Sequence, residues 1–241
     1  MRSLCLFLLC LPLALPAQDA YHTNLLSQLQ QDYGLSGGSW LLPPSEQTFV
    51  TQATTYGCTR QSVAISGQSF AQALRLTVDS AGTNPWEAGL ALPSTQSVQA
   101  GDRVLITVWL RAQGPPAEVT LFAEDAVTYA KEVYLTLELD SSWQQVFISF
   151  ESSDSYPVED LNLGFHLAHR AQTVDIAGMN ALNYGTSFPL ADLPVQFPVY
   201  YAGQESDAPW RAAAAARIAQ HRQADLSLRL VDKDNQPLPN T

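Results

Sequence analysis

An all-β fold, most economically an antiparallel two-sheet jelly-roll β-sandwich, is what this sequence predicts, and three observations predict it. Between about Trp40 and Asn183, apolar and polar residues alternate in runs of roughly 6–9. Each run is bounded by Gly, Pro, Asn, Asp or Ser. The runs follow one another with no helical pattern between them, and strands joined without crossover helices form antiparallel sheets that pack face to face.

The elements follow in order along the chain. Residues 1–17, within "MRSLCLFLLCLPLALPAQ", place Arg2 before a short apolar run ending in small residues at Ala17. That is the layout of a secretory signal peptide cleaved before Gln18, and the run is shorter than the ~20 residues a membrane anchor needs. Cys5 and Cys10 leave with it, so an exported chain keeps Cys58 alone and forms no internal disulfide. In residues 18–35, Leu25, Leu26 and Leu29 recur at helical spacing and Gly34 sits where a helix stops, which predicts a short helical lead-in.

The sandwich is expected over residues 36–184. Its strands read "FAQALRLTV", "WEAGLAL", "RVLITVWLRA", "AEVTLFA", "KEVYLTLEL", "WQQVFISF", "DLNLGFHLA" and "TVDIAGMNAL". Period-2 alternation assigns the faces. Val104, Ile106, Val108 and Leu110 turn to the core, which sends Leu105, Thr107, Trp109 and Arg111 outward. By the same phase Val133, Leu135, Leu137 and Leu139 go inward with Glu132, Tyr134 and Thr136 outside, and Leu161, Leu163, Phe165 and Leu167 go inward with His166 outside. Trp86 is in phase with Leu90 and Leu92, so the alternation turns it to the core and Glu87 outward; Trp143 reads as a plug at a strand end.

Residues 185–206 are Pro-rich and without periodicity, an extended linker. In residues 207–241, "DAPWRAAAAARIAQHRQAD" reads as a helix with Asp207 to cap it and Pro209 in its first turn. The closing "LSLRLVDKDNQPLP" reads as a strand entering a turn at Asp234, Asn235 and Gln236.

Charge narrows the partners. The formal net charge is -11, which repels phosphate backbones and anionic lipid, so neither nucleic acid nor membrane is expected. A neutral, hydroxyl-rich ligand fits better. No cofactor is expected and no metal. "DKDNQP" from Asp232 lacks the Gly and the final Glu of a calcium loop. His166 and His169, three apart on a strand, would face opposite ways. "GQSFA" around Ser69 ends in Ala71 where a nucleophile elbow has Gly, and Glu118, Glu124, Asp125 and Glu132 read as solvated carboxylates.

Outward aromatics among polar residues carry more weight, because sugar C–H faces lie on aromatic rings while hydroxyls take hydrogen bonds. Trp109 with Arg111, Tyr134 with Glu132, and His166 with Asn162 meet that demand if their strands share a sheet. With Trp86 and Glu87 these give the candidate ligand-binding set: Trp86, Glu87, Trp109, Arg111, Glu132, Tyr134 and His166.

The segments "ALRLTVDSAGTNPWEAGL", "GDRVLITVWLRA", "WQQVFISF" and "QTVDIAGMNALNYG" resemble, in that order, the jelly-roll carbohydrate-binding modules that precede xylanase domains, above all those of families four, nine and twenty-two. The tail "APWRAAAAARIAQHRQADLSLRLVDKDNQPLP" resembles the opening segment of bacterial family ten glycoside hydrolases, the endo-1,4-beta-xylanases. The resemblance implies a module that binds xylan or a related β-glycan, ahead of a catalytic barrel whose two glutamates this chain does not contain. It therefore assigns no catalytic residue. Two positions depart from the pattern: "IAGM" at Ile176 to Met179 stands where calcium-holding members carry a carboxylate pair, and Asn235 and Asn240 stand where glycines are usual. Asn accepts left-handed backbone, so the turn is expected to survive. Two other classes compete: a spacer or adhesion sandwich without sugar binding, and an esterase or lyase built on the same fold. A continuous outward aromatic strip on an open sheet favours binding, and outward faces covered by loops favour the spacer.

Overall fold

The computed structural model describes residues 19–198, 208–222, 231 and 233–236. The expected signal peptide, the Asp207 cap and most of the closing strand lie outside these residues. The chain divides into two units, Met1–Val199 and Tyr200–Thr241.

In the first unit the elements are α1 (Ala20–Tyr33), β1 (Ser39–Trp40), α2 (Glu46–Gln52), β2 (Thr54–Tyr56), β3 (Thr59–Ala64), β4 (Gln72–Val78), β5 (Gly89–Pro93), β6 (Arg103–Ala112), β7 (Ala117–Asp125), β8 (Lys131–Leu139), β9 (Gln144–Glu151), β10 (Leu161–His166) and β11 (Gln172–Asn183). They form the expected sandwich of two antiparallel sheets. The first sheet runs β3-β4-β11-β6-β9, with β1 paired to β11; the second runs β2-β5-β10-β7-β8.

The alternation that predicted the strands also builds the core. Val104, Ile106, Val108 and Leu110 of β6 meet Leu90, Leu121, Leu137, Leu163 and Phe165 of the other sheet in one buried cluster. At about 25 cal/mol per Å² of apolar surface removed from water, this cluster is the main favourable term of the fold.

A second cluster covers the outer face of the first sheet. Tyr21, Leu25 and Leu29 of α1 pack with Phe70, Leu105, Phe147, Ala177 and Leu182, and Trp109, Trp143 and Phe188 border them. The expected outward residues of β6 thus leave the core without reaching water: Leu105 and Thr107 are fully buried. The helix that roofs them is held at both ends. The Asp19 side chain accepts from the His22 N–H at 3.1 Å, and Gly34 closes the helix at φ 70.

Two further elements depart from expectation. The seven-residue helix α2 interrupts the strands, capped by the Ser45 side chain and burying Phe49 and Val50. Its last carbonyls, those of Val50 and Ala53, accept from the Arg60 guanidinium. The expected linker begins packed: Leu193 is buried, and Gln196 pairs with Phe147 on the free edge of β9.

The "IAGM" departure has a structural reason. The register of β11 against β6 shifts between Ala177 and Asn180, and Gly178 takes φ 55 there. The Tyr21 ring lies so close that a Cβ at Gly178 would fall 2.4 Å from it. No larger residue fits beneath that ring.

The second unit contains α3 (Pro209–Arg222), which carries Pro209 in its first turn as expected. Asn235 adopts φ 63, the left-handed turn position expected of it.

Candidate functional site

The outer face of the second sheet is open, and the strand register sets its residues in rungs across the sheet. One rung runs Tyr56, Gly89, His166, Thr120, Thr136. The next runs Thr54, Ala91, Gly164, Phe122, Tyr134. Small residues, Gly89 in the first rung and Ala91 and Gly164 in the second, lie between larger ones, and the face holds a groove with a volume of 760 Å³. That lies within the range typical of ligand pockets. A Cβ at Gly164 would fall 2.6 Å from the Phe122 ring, so the glycine is what lets that ring settle onto the floor.

Trp86 stands on one flank and Tyr134 on the other, with Tyr129 at the rim; they are 55%, 47% and 64% exposed. Trp86 belongs to a 3-10 turn, Pro85–Glu87, outside β5. The strand phase that turned it to the core therefore does not apply, and the indole faces solvent. Tyr129 holds φ 61, a costly conformation for a bulky residue and one that concentrates at ligand sites. Its turn is fixed by the Asp125 carboxylate, which accepts from the N–H groups of Val127 (2.8 Å) and Thr128 (2.6 Å).

The polar groups sit deeper. His166, 5% exposed, stacks on Phe122 with ring centroids 4.4 Å apart. Its Nδ1 lies 3.3 Å from the Tyr56 hydroxyl. Burial pushes the Tyr56 hydroxyl up to about 12, so it keeps its proton. Neutral, that hydroxyl can donate to Nδ1, which leaves the ring hydrogen on Nε2, or accept from Nδ1–H. Burial, reinforced by the Lys131 charge and then by His169, lowers the His166 pKa to about 4, so the ring is neutral at ordinary pH.

Glu124 is buried and pairs with Lys131. The pairing depends on a register shift of β8 between the partners of Ala123 and Glu124. A bulge of this kind re-aims side chains: it sets Lys131 opposite Glu124 and turns Glu132 to the sandwich edge. There the Glu132 carboxylate accepts from Ser153 Oγ (2.8 Å) and the Tyr156 hydroxyl (2.7 Å).

The candidate set thus separates. Trp86, Tyr134, His166 and Asn162 come together in the groove. Glu87 is beside it but turned back, accepting from the N–H groups of Thr83 and Asn84 at 3.0 and 3.2 Å. Glu132 braces a loop. Trp109 and Arg111 lie on the first sheet, so the pairing of Trp109 with Tyr134 on one face is corrected: β6 and β8 belong to different sheets. Arg111 instead salt-bridges fully buried Asp175 at 2.8 Å and lies 4.4 Å over the Trp143 ring. Glu124 is corrected too, from solvated to buried and paired. His169 is corrected because β10 ends at His166; His169 follows in a turn and its Nε2 lies 2.8 Å from the Thr120 hydroxyl. Sequence reasoning missed Tyr56, Ala91, Phe122, Tyr129 and Lys131 as groove residues. Phe122 was within reach, being in phase with polar Thr120 and Glu124.

The neutral state of His166 has a measurable consequence. Its folded pKa lies below the unfolded value, so the unfolded chain binds more protons between about pH 6.5 and 4. This contribution to stability is therefore complete above pH 6.5 and is lost as pH falls to 4 and below, amounting to roughly 3 kcal/mol. Urea titrations at pH 7 and pH 4.5 are expected to show a smaller acid loss for His166→Gln than for the parent. An equal loss in both assigns the acid sensitivity to other groups.

No family model matches the chain, and no curated protein matches it. Solved structures do. The second N-terminal cellulose-binding domain of Cellulomonas fimi beta-1,4-glucanase C aligns with 62% of this chain and 97% of its own, at 19% identity and a TM-score of 0.50. A tandem pair of CBM22 domains from Paenibacillus barcinonensis aligns with 70% of this chain and 50% of its own, at 16% identity and a TM-score of 0.47. A single CBM22 xylan-binding domain from the same organism aligns with 63% of this chain and 98% of its own, at 16% identity and a TM-score of 0.46. The two sheets and the first of these alignments agree on one point: the chain has a β-sandwich fold similar to that of this cellulose-binding domain.

Proposed function

We propose that the chain is a secreted, non-catalytic polysaccharide-binding module that takes xylan or a related β-glycan along the groove of its second sheet. One observation carries this reading: exposed Trp86, Tyr129 and Tyr134 border a groove also lined by Ala91, Phe122 and His166. A sugar chain laid there puts its C–H faces on the rings while Asn162 and the His166 ring meet its hydroxyls. The similarity in fold to a cellulose-binding domain supports the same ligand class.

The tail's resemblance to the opening of family ten hydrolases supports an attached xylan-degrading catalytic domain. The module then raises the local substrate concentration, as any tethered binding site does. The leader-like first residues support export. The spacer reading loses ground on geometry: α1 covers the first sheet, whereas the second sheet presents open aromatics. Among the described groove residues Glu124 is the one carboxylate, and Lys131 holds it, so the groove offers no free acid pair for glycoside hydrolysis.

Affinity electrophoresis of the folded chain tests the proposal. Retardation is expected in gels containing arabinoxylan or mixed-linkage glucan and not in gels without polysaccharide. Unchanged mobility in every gel would sink the reading.

A further inference from the structure

The charges of the groove bear on which glycans it accepts. Only 8% of the Glu124 side chain is exposed, and its partner Lys131 is 35% exposed. The Lys131 ammonium also lies 5.8 Å from the Phe122 ring and 5.6 Å from the Tyr134 ring. It is thus confined between a carboxylate and two aromatic faces. Among the described residues lining the groove, Lys131 is the one lysine or arginine.

A carboxylated sugar entering this site meets an unfavourable choice. If it draws Lys131 to itself, it strips the counter-charge from buried Glu124, and an unpaired buried carboxylate is strongly disfavoured. If it leaves the pair intact, it finds no free cation. It then also approaches a chain of formal net charge -11, which repels it at longer range. A neutral pyranose suffers neither penalty, and its C–H face lies against the rings with Lys131 in place.

We propose, resting on the glycan-binding reading, that the Glu124–Lys131 pair makes the groove selective for neutral stretches of β-glycan and excludes residues that carry uronic acid. Glu124 is then a specificity-determining residue without being the principal contact, because it acts by holding the one lysine or arginine among the described groove residues.

Calorimetric titration with xylohexaose, and with the same oligosaccharide bearing one 4-O-methylglucuronic acid, tests this. The parent chain is expected to bind the uronate form at least about tenfold more weakly. Glu124→Gln keeps the shape of the side chain and frees Lys131 as an unpaired charge, so the two affinities are expected to converge to within about twofold, or to invert. The double variant Glu124→Gln with Lys131→Met carries neither charge and is expected to lose that gain for the uronate form. Equal parent affinities, or a preference for the uronate form, would overturn the proposal even if no variant folded. A folded parent chain that binds neither oligosaccharide would overturn the groove reading itself, and this inference with it.

Discussion

Replacing Asp175 with alanine is expected to lower the stability of the sandwich by about 3 kcal/mol while leaving glycan binding at the groove unchanged. Asp175 is fully buried in β11, and three side chains converge on it. Arg75 donates through Nε and Nη2 at 2.7 and 2.9 Å, Arg111 through the same two nitrogens at 3.0 and 2.8 Å, and Gln113 through Nε2 at 2.8 Å. The cluster ties β4, β11 and β6 together on the covered side of the first sheet. Removing the carboxylate leaves two half-buried guanidiniums facing each other without a counter-charge. Both retain some solvent, at 30% and 24% exposure, which places the expected loss toward the low end for a broken buried pair. Urea denaturation measures it. A loss below about 1 kcal/mol would show that the pair behaves as a surface bridge.

Trp86→Ala and Tyr134→Ala are each expected to weaken glycan binding by at least about tenfold, which corresponds to about 1.4 kcal/mol. An aromatic side chain that buries most of its area on a ligand contributes more than that by area alone, and the groove presents these two rings from opposite flanks. Neither residue belongs to the core, so the unfolding transition is expected to move by less than about 0.5 kcal/mol, as for other exposed positions. Calorimetric titration beside urea denaturation separates the two effects. Unaltered affinity in both variants would remove the aromatic flanks from the account.

How much of this was legible in the residues depended on the kind of constraint. Strands β6 and β8 were read to the residue, because the face each turns to the core is uniformly apolar and turn residues bound both runs. Strands β2 and β3 escaped, since "TTYGCTRQSVA" lies at the sheet margins, where few side chains are buried and polar residues meet no penalty. Helix α2 escaped because seven residues are too few to establish a period. The errors at the site have the same root. Phase told that Trp109 leaves the core, but not that α1 would cover the face it leaves for. Phase also failed at Trp86, where Pro85 starts a turn and period-2 counting no longer holds. Which strands share a sheet is a matter of long-range pairing, and no local pattern in β6, β8 or β10 encodes it. Tyr134 and His166 met in the groove only through β7, which lies between their strands.

The most direct test of the groove compares two tryptophans of the candidate set, Trp86 at the groove and Trp109 on the other sheet. Affinity electrophoresis in arabinoxylan of Trp86→Ala and Trp109→Ala, each shown folded by circular dichroism, makes the comparison. Loss of retardation in the Trp86 variant with retardation retained in the Trp109 variant is the expected result, because Trp109 lies under α1 on the opposite sheet. Retardation retained by the Trp86 variant and lost in the Trp109 variant would contradict the account and move the binding face to the first sheet.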